Sequence, residues 1–109
     1  MVGVDKDEWY TTFGSGSTPG ADKLITSALK KVDVGVSLAI SNYFAGTGSG
    51  SNVLLDASNG GVGFAPAHSA AVVTSDISAS AAAVFALMAA GTFNTYVDSN
   101  GDAVPTGVT

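Results

Sequence analysis

Short strand-like apolar runs alternate with helix-periodic runs along this chain, and that interleaving argues for an α/β fold with a partly parallel sheet. Val2–Val4 reads as a short buried strand, and Asp5 stands at its carboxyl end. Residues 11–20 read as a loop, because Gly14, Gly16, Pro19 and Gly20 lie among Ser and Thr. Leu24–Lys30 reads as a second strand. From Val32 to Ala45 the apolar positions 32, 36, 39, 40, 43 and 44 recur at helical spacing, and Asp33 suits the positive end of that helix. The Gly/Ser stretch 46–51 stops it. Two shorter runs, Val53–Leu55 and Val62–Ala65, flank an Asn59-Gly60 turn signal, a spacing at which two strands can pair as a hairpin. The last helix spans Ser75–Ala90, with Ile77, Ala81, Val84, Phe85 and Met88 on one stripe, Ser75 or Asp76 as its cap and Gly91 beyond its end. Residues 93–109 read as a tail in which Asn100-Gly101 marks a turn.

Composition removes whole classes of function. A chain of 109 residues supports one small domain. Its four cations are all Lys, nine acidic residues give a net charge of −5, and phosphate neutralisation needs clustered Lys or Arg. Nucleic acid and anionic membrane are therefore not expected partners. With no Cys there are no disulfides and no thiolate metal sites. His68 is the only imidazole, so a His-based metal site or catalytic pair is not expected; it reads as a surface or loop-bracing residue. The run Asp98-Ser99-Asn100-Gly101-Asp102 has calcium-loop residues, but its Gly is fourth and no Glu follows at the twelfth place, so it reads as a turn. The glycine clusters lack phosphate-cradling spacing, and no Ser sits in a nucleophile motif. The expectation is a binding protein without cofactor, metal or enzymatic activity.

The candidate ligand contacts follow from strand ends. Open α/β sheets take ligands in the crevice beyond the carboxyl ends of their strands. Asp5 and Lys30 end the first two strands, and in one parallel sheet they emerge on the same edge. A carboxylate accepts from two vicinal hydroxyls at once. Alternatively Asp5 braces its own loop and Lys30 is solvated or paired with Asp5. Trp9 either stacks on a base or packs a loop. Lys31 is assigned to solvent.

Taken in order, Val2–Trp9, Leu24–Asp33 and Gly60–Pro66 resemble segments of the C-terminal third of basic membrane protein (BMP) family lipoproteins. These are nucleoside-binding substrate carriers of ABC importers. The resemblance covers residues 1–92 and implies a fragment of a type I periplasmic-binding-protein-like, Rossmann-like three-layer fold with incomplete lobes. It also implies that Met1 is an internal or added start. It implies a purine-nucleoside ligand, an ABC permease as partner, and a periplasmic or cell-surface location for the parent lipoprotein. The strand-end Asp of the family carries over onto Asp5 as the contact to sugar hydroxyls, and its Ser-x-x-Lys segment, here Ser27–Lys30, carries over onto Lys30. The hinge between lobes would be crossed near Lys30–Asp33 and again near Pro66. The helix Val32–Ala45 would then face a lobe not encoded here. The competing expectation is a non-binding, self-associating α/β fragment, a homo-oligomer held by that helix face.

Overall fold

The computed structural model describes residues 1–48, 50, 52–68 and 70–93. The tail read from residue 93 onward, with its Asn100-Gly101 turn and Asp98–Asp102 run, lies outside the described residues from position 94. Strand β1 (Val2–Asp5) leads through helix α1 (Glu8–Thr11) and two 3-10 turns, Gly14–Gly16 and Ala21–Lys23, into strand β2 (Thr26–Lys30). Helix α2 (Val32–Phe44), strand β3 (Val62–Phe64) and helix α3 (Ser75–Ala89) follow. The result is a small mixed α/β fold around a three-stranded sheet of order β1-β2-β3.

β1 and β2 are parallel, with Gly3 opposite Ser27 and Asp5 opposite Leu29. β3 lies antiparallel on the other side of β2, with Lys30 opposite Val62. The hairpin suggested by the Asn59-Gly60 signal does not form: Val53–Leu55 runs without a ladder, and β3 takes β2 as its partner. Side chains decide this. Asn59 turns its own amide inward, accepting from Asp56 and Gly61 N–H and donating to the Leu54 carbonyl, so the turn closes on itself. Leu55 then packs against Gly35 of α2 and Gly61, where an added Cβ would stand only 2.9 Å and 2.5 Å from it. The second strand starts at Thr26, two residues later than its apolar run suggests, because Leu24 closes the second 3-10 turn and is buried.

The small core sits under the β1–β2 crossover. Phe13, Ala21 and Leu24 are buried together, and Trp9 packs on them. Burying Phe13 and Leu24 contributes roughly 1.5–3 kcal/mol each. Ser27 has no exposed surface at all; its hydroxyl accepts the Glu8 N–H at 3.1 Å, tying α1 to the middle of the sheet. Across the parallel pair, a Cβ on Gly3 would stand 2.4 Å from Ser27 Oγ, so the two strands meet there only because position 3 has no side chain.

Neither long helix buries a residue. The α2 stripe expected to face a lobe not encoded here is exposed: Val32, Val36, Ile40, Tyr43 and Phe44 are each more than half exposed, whereas Val34, Leu38 and Asn42 are the partly covered side. On α3 the N-cap is Thr74, whose hydroxyl accepts from Ile77 N–H, one residue before the expected cap. Phe85 and Met88 are partly covered, with Phe85 edge-on to Phe64 at 5.7 Å, while Ile77, Val84 and Leu87 are exposed.

Candidate functional site

The parallel pairing of β1 and β2 delivers Asp5 and Lys30 to one edge. Lys30 Nζ lies 3.9 Å from Asp5 Oδ1, and the two side chains are 66% and 64% exposed. At that distance and exposure the pair contributes ~0–1 kcal/mol, so it does not explain why these residues end their strands. Asp5 is also held at φ 69°, and the Lys6 N–H donates to the Val4 carbonyl at 2.8 Å. A two-residue hydrogen bond around a positive-φ residue is a γ-turn of the strained kind. Asp tolerates left-handed backbone better than most residues.

Lys30 continues into an open cavity of about 490 Å³ between α2 and β3. Val32, Val36, Ala39, Leu55 and Val62 make its walls apolar, and Lys30 is the charged group at its rim. That volume lies in the range of small-ligand sites. Lys31 goes elsewhere. Its backbone N–H donates to the Gly61 carbonyl at 2.9 Å, and its side chain runs beside Gly63.

Trp9 is placed in a different cluster. One ring face stacks on His68, with centroids 5.0 Å apart and planes 16° from parallel, while the ring packs against the Phe13 core. In this arrangement it braces a loop. His68 also reaches Asp7, Nε2 to Oδ2 at 2.7 Å, and meets Tyr10 edge-on at 5.2 Å. The Asp7–His68 contact is the tertiary contact that sequence reading missed. The two residues lie 61 positions apart, in no motif, and only the uniqueness of His68 marked it as worth locating.

A second cavity of about 410 Å³ opens between the sheet and α3, lined by Ile25, Phe64, Pro66, Val73 and Ile77 among others. Among the described residues no cluster of His, Asp and Glu is arranged to hold a metal ion, and no helix is long and apolar enough to cross a membrane. A separate electrostatic feature is the Asp56 turn. There the Ser58 hydroxyl, and then the Ser58 and Asn59 N–H groups, donate to Asp56 and hold its carboxyl below the usual range.

Comparison with known proteins leaves the site to its own geometry. No protein-family model, no curated protein and no solved structure matches the chain.

Proposed function

We propose that this chain is the C-terminal part of a solute-binding protein of the nucleoside-carrier kind that its sequence resembles, with Asp5 and Lys30 as polar contacts to the ligand. The observation that carries this reading is the strained turn at Asp5, set beside Lys30 at the carboxyl ends of two parallel strands. Backbone strain of this kind costs ~1–3 kcal/mol and gathers at ligand sites. An exposed carboxylate at a strand end, paired only loosely, is free to accept from the two hydroxyls of a ribose. Lys30 adds donors beside the apolar cavity. The rest of the pocket, the second lobe and the permease contact would come from the remainder of the carrier, and the reading is of binding without chemistry.

The test is a titration of the chain with adenosine and with guanosine, followed by amide chemical shifts. Weak binding in the millimolar range is expected, with shifts centred on Val4–Lys6 and Leu29–Lys31 that vanish in Asp5→Ala. Absence of any shift, or shifts that Asp5→Ala leaves unchanged, would overturn the reading.

A second reading rests on a separate observation, the outward apolar stripes of α2 and α3. As a self-associating fragment the chain would cover Val32, Val36, Ile40 and Tyr43 with a second copy. A standard interface takes ~800 Å² from each partner, and these exposed apolar side chains are the candidates to supply it. Sedimentation that finds only monomer at high concentration would remove it.

A further inference from the structure

We infer that Asn59 is a self-modification site, a deamidation centre that the Asp56 turn holds unreactive and whose conversion unlatches one wall of the Lys30 cavity. This goes beyond both readings of function and rests on neither. Asn59 is followed by Gly60, and a glycine leaves its backbone nitrogen free to approach the preceding carboxamide, because no Cβ stands in the way. In that step the Gly60 nitrogen bonds to Asn59 Cγ, the Cγ–Nδ2 bond breaks, and the Gly60 proton passes through solvent to the departing amine, which leaves as ammonia. Water then opens the five-membered imide at either carbonyl, giving Asp or isoaspartate. Water is the one co-reactant consumed.

The turn opposes ring closure through three hydrogen bonds. Asn59 Oδ1 accepts from the Asp56 N–H at 3.1 Å and the Gly61 N–H at 3.0 Å, and Nδ2 donates to the Leu54 carbonyl at 2.7 Å. Donors to a carbonyl oxygen lie near the plane of its group, whereas the attacking nitrogen must reach Cγ from above that plane. The carboxamide therefore has to rotate out of its bonds before the ring can close. Asp56 braces the same turn, its Oδ1 accepting from the Ser58 N–H, the Ser58 hydroxyl and the Asn59 N–H. Three bonds of modest net strength hold the native rate about tenfold or more below that of the unfolded chain.

The product cannot rebuild the turn. Its carboxylate has no hydrogen to give the Leu54 carbonyl, and it sets a second negative charge beside that of Asp56. Leu55 lies between those two positions, fills the space against Gly35 of α2 and Gly61, and lines the cavity whose rim carries Lys30. Conversion of Asn59 thus loosens that wall irreversibly.

The experiment incubates the chain at mildly alkaline pH and follows the mass gain of the chymotryptic fragment that ends at Phe64, which separates Asn59 from Asn100-Gly101. Wild type is compared in buffer and in guanidinium chloride, and Asp56→Ala, its fold checked by circular dichroism, in buffer. Native wild type should convert about tenfold or more slowly than the unfolded chain, and Asp56→Ala about threefold or more faster than native wild type. A native rate equal to or above the unfolded rate, or an Asp56→Ala rate no higher than that of wild type, would overturn the gate. Should Asp56→Ala fail to fold, Ser58→Ala, which removes only the hydroxyl bond, takes its place with an increase of the same sign. The converted chain, isolated by ion exchange through its added charge, should show faster hydrogen exchange at the Gly61 N–H and shifted Leu55 methyl signals, with those of Leu24 unmoved. Unchanged Leu55 signals would overturn the unlatching.

Discussion

Replacing Gly3 by Ala tests the point on which the parallel pair depends. The new Cβ would stand 2.4 Å from Ser27 Oγ and 3.0 Å from the Glu8 side chain. Glu8 is half-buried, but the atoms met are the outer part of a flexible side chain held only by a 3.3 Å bond from Val4 N–H, so it can yield. Ser27 is fully buried and its hydroxyl is committed to the Glu8 N–H, so it cannot yield without releasing α1. Overpacking of this kind costs ~1–3 kcal/mol, which in a chain of this size is several degrees of Tm, at ~4–8 °C per kcal/mol. Ser27→Ala alone should cost ~1–3 kcal/mol, since it strands the Glu8 N–H without an acceptor. In the double variant the added Cβ occupies the space that the hydroxyl leaves. The two costs should therefore fail to add, with ~1–2 kcal/mol of the sum recovered. The assay is urea unfolding of the four proteins of the cycle. Costs that add to within ~0.5 kcal/mol would show that the two positions do not press on each other and would refute the packing argument. The same cycle bears on the site, because the register that pairs Gly3 with Ser27 also brings Asp5 opposite Leu29, next to Lys30.

Lys30→Ala should abolish the nucleoside-dependent amide shifts, and Lys31→Ala should leave them nearly unchanged, since Lys31 runs along Gly63; equal losses from both would indicate a general electrostatic effect. Ile40→Asp places a charge in the exposed stripe of α2 and should lower the associated fraction in sedimentation while changing stability by no more than ~0.5 kcal/mol; unchanged association would place the interface elsewhere. The Asp56 carboxyl, held low chiefly by the Ser58 hydroxyl, favours the folded turn above the unfolded-state pKa, an advantage lost as pH falls through the folded value. Carbon-13 titration should accordingly show Ser58→Ala moving Asp56 upward toward the ordinary carboxylate range, and an unmoved Asp56 would assign the effect to the backbone donors alone.

Local patterns were sufficient for the elements that depend on neighbours in the chain. Helical spacing located α2 and α3 to within a residue of their observed ends, because period and stop signals are properties of a single segment. Strand-end chemistry placed Asp5 and Lys30 on one edge, since both statements follow once β1 and β2 are parallel. Which strand β3 would join was not legible. Asn59-Gly60 is a hairpin signal, but the outcome was set by Asn59 folding onto Leu54 and Asp56, and by Leu55 filling the space between Gly35 and Gly61. What covers the exposed α2 stripe was equally illegible, because periodicity defines a face without saying what lies opposite it. The Asp7–His68 contact spans 61 positions and depends on the antiparallel pairing of β3 with β2, which carries the chain after Phe64 back past Ser27, to which α1 is tied. The sequence by itself determined the alternation of elements and the charged residues that close the strands. Tertiary structure alone decided partners, facing and the His68 contact, since each depends on distances between segments that no local spacing encodes.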